Sequence, residues 1–246
     1  MTDRTIFRLS GADTHDFLQG LVTNDVAKLE QGLVYAAMLT PQGKYRADFF
    51  LVPDGDDVLL DVATPLAPGL KQALMMYKLR SSVDIEETDR RVTRGLGDAP
   101  DGAFADPRDP SLGWRGYDGQ AGDDDVDWTA LRVAAAIPES DVELTADSFI
   151  LEMDFERLNG VDFRKGCYVG QEVTARMKHK TELRKGLAQV TVSAPVPVGT
   201  EILAGEKPAG TLYSQSGGKG LAYLRFDRAS GAMTADDATV ARVEPS

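Results

Sequence analysis

The chain contains a single cysteine, Cys167, and only two histidines, His15 and His179. One cysteine excludes an intramolecular disulfide, which agrees with a reducing compartment. One thiolate cannot hold an iron–sulfur cluster, which takes about four ligands. Two isolated histidines leave no zinc-ligand spacing, so no resident metal is expected. Long apolar runs are also missing, and nothing approaches the roughly 18–20 residues that span a bilayer. The opening segment, MTDRTIFRLSGADTHDF, mixes acids and bases and lacks the apolar core of a signal peptide. A soluble, cytoplasmic protein is therefore expected. No Walker loop, dinucleotide fingerprint or Gly-x-Ser-x-Gly elbow occurs.

Ordinary globular composition is present, with 42% hydrophobic and 27% charged residues. The net charge of −12 argues against a nucleic-acid or membrane-surface binder. Its distribution is uneven. Asp98 to Asp127 holds nine aspartates against Arg108 and Arg115, whereas Arg164 to Lys185 holds seven basic residues against Glu172 and Glu182. An acidic protein with one concentrated basic segment suits a small anionic ligand, although such segments also occur as solvated surface.

IFRLS reads as a strand, followed by a helix over about 11–19 with Ser10 as cap, Asp13 in the capping-box position and Gly20 as stop. LVYAAML, KYRADFFLV and DVLLDVA, separated by the turn signals TPQG and PDGD, form an antiparallel meander. Thr64-Pro65 opens a helix with apolar positions at Leu66, Leu70, Leu74 and Tyr77. SSVDIEE is extended, 97–127 is loop-rich, and DWTALRVAAAI is helical. From Gly186 onward, short β-prone runs broken by Gly and Pro indicate a small β-barrel or sandwich. The fold class is α+β. A body over 1–182, with subdomains near 1–95 and 96–182, precedes a β module over 183–246.

The chemistry concentrates in GVDFRKGCYVGQEVTARMKHK (160–180). VDF reads as a strand, RKGCYVG as a turn and QEVTARMKHK as a helix, with Lys178 and Lys180 in its last turn. A cysteine before a helix N-terminus, beside Arg164 and Lys165, sits where thiolate is stabilised. Gly166 and Gly170 allow a tight turn. The alternative is that Cys167 is a small buried residue. Three weaker segments accompany it. FLQGLVTNDV places Asn24 and Asp25 at a helix end. In GKYRADFFLV, strict alternation puts Asp48 opposite Ala47 and Phe49, beside Arg46 and Phe50. In SFILEMDFERLNG, Glu152 lies among Phe149, Ile150, Leu151 and Met153, and a carboxylate in such company is paired or used.

KGCYVGQE at 165–172 (Lys165, Gly166, Cys167, Tyr168, Gly170, Gln171 and Glu172) resembles the signature of the YgfZ-type folate-binding proteins, relatives of the glycine-cleavage T-protein. FLQGLVTNDV, PQGKYRADFFLV and MYKLRSSV resemble further blocks of that family in the same order. HKTELRKGL is similar to the branch holding the mitochondrial iron–sulfur assembly factor and its bacterial counterparts. The resemblance implies a T-protein-like α+β body with a C-terminal β-barrel, and tetrahydrofolate or a one-carbon derivative as ligand. It implies a role in assembling or repairing [4Fe–4S] enzymes, including radical enzymes that thiolate tRNA, with client or assembly proteins as partners.

By the same resemblance, Cys167 and Asp48 carry the chemistry, and Glu152 bonds the pteridine ring. Arg184, Asn24 and Asp25 lie near the folate, and Tyr77, Lys78 and Arg80 form a basic–aromatic block whose cations meet its glutamate tail. Two alternatives stand beside the accessory factor. One is an aminomethyl-type one-carbon transferase using Asp48; the other is a non-catalytic folate scaffold with a structural Cys167.

Overall fold

The computed structural model describes residues 3–179 and 183–243. Contacts divide the chain into two units. The first takes the residues up to Val126 together with Phe155–Ala175; the second takes Asp127–Asp154 and the residues from Arg176 onward. The division thus differs from a boundary at 182/183, because 127–154 groups with the C-terminal strands.

In the first unit, strand β1 (Arg4–Ser10) leads into helix α1 (Thr14–Gln19), closed at Gly20. The expected capping box does not form. Asp13 is the N-cap without a side-chain bond to the helix, and its carboxylate accepts instead from the Ser82 N–H at 2.7 Å. Strands β2 (Val34–Leu39), β3 (Tyr45–Asp54) and β4 (Asp57–Ala63) make the expected meander. A 3-10 turn at Thr64–Leu66 precedes helix α2 (Ala67–Lys78), and Thr64 hydrogen-bonds Thr5 rather than capping. Strand β5 (Asp84–Glu87) completes an antiparallel sheet of order β2-β3-β4-β1-β5. A second sheet, order β6-β8-β7, uses β6 (Thr93–Gly95), β7 (Phe104–Ala105) and β8 (Trp114–Gly116).

Alternation gives the five-stranded sheet two buried faces. Phe7, Leu9, Ala36, Phe49, Leu51 and Leu60 pack with Leu18 of α1 and with Leu70 and Leu74 of α2 in one core. The opposite face carries Ile6, Val52 and Leu59, packed with Tyr117 from beyond β8. Asp48, Phe50 and Asp61 lie on this second face by strand parity.

In the second unit, helix α3 (Trp128–Ala134) is capped by Asp127, whose carboxylate accepts from the Ala130 N–H at 2.9 Å. Helix α4 (Gln171–His179) runs from the first unit's last residues into the second. Strands β9 (Lys185–Val192), β10 (Thr200–Ala204), β11 (Lys207–Ser216), β12 (Lys219–Arg225), β13 (Met233–Ala235) and β14 (Ala238–Arg242) close a barrel of order β10-β11-β12-β9-β14-β13. Val190, Ile202, Leu212, Leu224 and Val240 fill it. Arg132 of α3 reaches the β11 hydroxyl of Ser214 at 2.8 Å, which helps explain why 127–154 joins this unit.

Candidate functional site

On the second face of the sheet, β3 breaks its alternation. The register between β2 and β3 shifts between Met38 and Leu39, so Leu39 opposes Tyr45 while Met38 opposes Ala47. Arg46 is the extra residue of a β-bulge, which re-aims its neighbour. Arg46 is therefore exposed, and Tyr45 turns inward beside Asp48. The expected neighbour Arg46 is replaced by a phenol. Tyr45 Oη donates to Asp48 Oδ1 at 2.6 Å, and Tyr35 Oη donates to Oδ2 at 3.0 Å. Asp48 is 4% exposed, far from the solvent-facing position usual for strand aspartates. Burial, and then the neighbouring Asp48 charge, push the Tyr35 hydroxyl well above the ordinary tyrosine range. Tyr35 is thus a neutral donor to the Asp48 carboxylate.

Aromatic rings and arginines surround this pair. Tyr35 stacks on Phe155, with centroids 5.2 Å apart, and is tilted against Phe50 at 5.2 Å. Arg108 lies over both Tyr35 and Phe50, and Arg115 stands 4.1 Å above Phe50. Arg108 forks onto Asp106 at 2.9 and 2.7 Å. Arg115 and Tyr117 bond Asp61 Oδ2, each at 2.8 Å, while Arg4 bonds Oδ1. Burial alone raises a carboxyl, but Arg4 and Arg115 outweigh it and bring Asp61 down to about 2. The sequence reading missed this layer. Its signal was the pair of arginines inside a stretch of nine aspartates.

The cysteine segment wraps one end of the same unit. VDF is not a strand; Asp162 N–H instead bonds Thr23 O at 3.0 Å. Phe163, Arg164, Gly166 and Cys167 are exposed, whereas Lys165 and Tyr168 are buried. Lys165 Nζ donates to the carbonyls of Gln19, at 2.8 Å, and Val22 at the end of α1, and lies 5.0 Å from the Tyr168 ring centre. Burial lowers this ammonium to about 8, against the opposing pull of Asp25 and Asp162. The lysine therefore pins the loop, where a cation serving the thiol had been expected. Gly170 has φ +84°, and a Cβ there would lie 2.6 Å from Thr40 O and 3.2 Å from Gly43 Cα. Gly43, at φ +74°, would meet Val173 Cβ at 2.6 Å. Gly43 of PQGKY and Gly170 of KGCYVG thus allow each other's close approach. Gly166 has open space around its Cβ position. Gln171 and Glu172 open α4, and Glu172 is exposed. Exposure of Cys167 overturns the reading of a buried structural thiol.

The remaining expected residues are dispersed. Asn24 is buried, and its amide is fully used inside the unit. Nδ2 donates to Tyr35 O at 2.8 Å and Asn159 O at 2.6 Å, while Oδ1 accepts from Asp25 N and Lys28 Nζ, both at 2.9 Å. Asp25 caps the 3-10 helix Val26–Gln31 and accepts from Gln19 at 3.0 Å. Both side chains hold the local backbone in place. Tyr77, Lys78 and Arg80 line an open groove of about 810 Å³ with Asp13, Leu79 and Ser81. Tyr77 packs with α2 on the sheet face opposite Asp48, so this block and Asp48 are not brought together.

Glu152 belongs to the second unit, where Tyr223 Oη donates to Oε2 at 2.6 Å and Lys185 Nζ stands 4.0 Å away. Burial and then the Glu152 hydrogen bond push the Tyr223 hydroxyl well above its usual range. Arg184, also in the second unit, is exposed. His15, Lys178 and His179 are exposed, and Lys180 lies outside the described residues. Among the described residues no group of three or more His, Cys, Asp or Glu is disposed to hold a metal ion, and no helix is long and apolar enough to cross a membrane. Tetrahydrofolate, the implied ligand, presents N–H donors on a flat heterocycle. A buried carboxylate amid aromatic rings fits that end by its chemistry.

The class defined by this architecture is an α+β protein of the aminomethyltransferase fold with a C-terminal β-barrel. The crystal structure of glycine cleavage system aminomethyltransferase T from Bartonella henselae superposes with a TM-score of 0.76 at 12% identity, covering 99% of this chain and 83% of that one. Residues 184–246 match the family of the CAF17 C-terminal beta-barrel domain. More particularly, the chain is similar to the mitochondrial iron–sulfur cluster assembly factor IBA57 homolog of Mycosarcoma maydis, 35% identical over 76% of this chain and 55% of that protein. It is also similar to the mitochondrial IBA57 of Mus musculus, 29% identical over 94% of this chain and 78% of the relative. The chain spans about half the length of the fungal relative. These relatives are named as mitochondrial, which overturns the cytoplasmic expectation. That expectation rested on a missing secretory core, a feature that tests only the secretory route.

Proposed function

We propose that the protein is a tetrahydrofolate-binding accessory factor for the assembly or repair of [4Fe–4S] clusters, with tRNA-thiolating radical enzymes among its clients. The observation that carries this reading is the exposed Cys167 on a loop pinned by buried Lys165 before it and by Gly170 after it. A fixed, accessible thiol suits transient contact with a cluster, a persulfide or another thiol on a partner. The names of the relatives support the cluster-assembly role. Asp48 supports the folate part, since its carboxylate would accept N–H groups of the pteridine while Tyr35 and Tyr45 hold it in place. When bound, tetrahydrofolate supplies nucleophilic ring nitrogens and a one-carbon carrier.

The test replaces the chain in its own cells by Cys167→Ala at matched protein level. A several-fold loss of [4Fe–4S] enzyme activity is expected, and full activity would defeat a chemical role for the thiol. The buried Asp48 favours a second reading, one-carbon transfer to tetrahydrofolate. It requires methylene-tetrahydrofolate to form from aminomethyl or methylamine donors, and absence of turnover across them would remove it.

A further inference from the structure

Tyr35 is the point at which several distant segments meet Asp48. Its hydroxyl donates to Asp48 Oδ2 at 3.0 Å, and its carbonyl accepts from Asn24 Nδ2 at 2.8 Å. The other amide proton of Asn24 reaches Asn159 O at 2.6 Å. Thr23, beside Asn24, donates to Gly160 O at 2.6 Å. A Cβ at Gly160 would meet the Tyr35 ring at 3.1 Å, so the backbone of 159–160 forms one wall of the ring's slot. Phe155 and Arg108 cover the ring itself. With all four hydrogen-bonding positions of its amide engaged, Asn24 has no atom left for a ligand. Its effect on any chemistry must pass through what it holds.

We propose that Asn24 is a positioning residue that fixes Tyr35, and through the Tyr35 hydroxyl the Asp48 carboxylate, while Tyr45 holds the other carboxylate oxygen. Tyr45 is set by the bulge at Arg46, a different device farther along the same β2–β3 ladder. A change at Asn24 therefore reaches the Tyr35 hydroxyl directly and the Tyr45 hydroxyl only through the shared carboxylate. The consequence for ligand binding rests on the folate reading above; the positioning itself does not.

The experiment uses the full chain labelled with ζ-carbon-13 tyrosine, with the Tyr35 and Tyr45 resonances assigned by Tyr35→Phe and Tyr45→Phe. Asp48→Asn is expected to move both resonances. Asn24→Ala is expected to move the Tyr35 resonance more than that of Tyr45, which feels the change only through the shared Asp48 carboxylate. An unmoved Tyr35 resonance in folded Asn24→Ala, or equal displacement of both, overturns the proposal. Asn24→Ser, which keeps a polar atom, replaces Asn24→Ala if thermal unfolding shows the latter to be unfolded.

Calorimetric titration with tetrahydrofolate supplies the second readout. Asn24→Ala and Tyr35→Phe are each expected to weaken binding about tenfold, and the double variant no more than about twofold further. Fully additive losses would contradict action through Tyr35. If the unsubstituted chain binds no tetrahydrofolate, the folate reading falls, and the tyrosine resonances still decide the positioning.

Discussion

Two glycines in one motif should behave oppositely when changed to alanine. Gly170 sits at φ +84°, where an L-residue costs about 1–2 kcal/mol. Its new Cβ would stand 2.6 Å from the Thr40 carbonyl oxygen and 2.9 Å from Leu39 Cβ. Neither neighbour is the free end of a flexible side chain, so the loop or the hairpin must shift, at about 1–3 kcal/mol. Together this is roughly 3 kcal/mol, which for a chain of this size lowers the melting temperature by about 10 °C. Gly43→Ala should act similarly, because its Cβ meets Val173 Cβ at 2.6 Å at φ +74°. Gly166 has nothing within 4 Å and no left-handed φ. Gly166→Ala should therefore stay within about 0.5 kcal/mol of the parent. Thermal unfolding followed by circular dichroism measures all three. A Gly166→Ala loss as large as that of Gly170→Ala, or a Gly170→Ala variant melting within 2 °C of the parent, would refute the packing argument. A Gly166→Ala variant of full stability that fails in cells would assign this glycine to close approach by a partner.

Other outcomes follow from the same geometry. Lys165 is held down to about 8 in the folded state, below its ordinary 10.5, so between those values the unfolded chain binds more protons and stability rises with pH. Urea midpoints at pH 7.5, 8.5 and 9.5 should show that rise, and Lys165→Met should remove it. Asp61, at about 2 when folded and 3.8 when unfolded, contributes stability that is complete above pH 4 and is lost as pH falls toward 2. Asp61→Asn removes the nearer counter-charge of buried Arg115, leaving Asp106 at 3.8 Å, and should cost about 3 kcal/mol while flattening the acid limb of the unfolding curve. Cys167, being exposed, should react with a disulfide reagent at one thiol per chain without denaturant; a thiol that reacts only in urea would contradict its placement.

The parts legible in the sequence were those set by near neighbours. Turn residues and period-2 runs marked the meander, and the Gly- and Pro-broken β runs marked the barrel. Asp48 was visible because it interrupts an apolar strand. What stayed hidden depended on distant partners. Lys165 next to Cys167 reads as a thiolate stabiliser until its carbonyl acceptor at Gln19, 146 positions away, is known. Asn24 reads as a turn or ligand residue until Asn159, 135 positions away, takes its amide proton. Tyr45 was hidden by a one-residue bulge, which alternation alone cannot foresee. Residues 127–154 carried no mark of joining the barrel strands, since Arg132 meets Ser214 across 82 positions.

The central claim is that Asp48, held by two phenols, is the acceptor for a bound folate. Calorimetric titration of tetrahydrofolate into the chain and into Asp48→Asn tests it most directly. Losing one carboxylate oxygen should weaken binding at least tenfold in a variant that circular dichroism shows to be folded. Equal affinity in both proteins, or no binding heat from the parent chain, would contradict it.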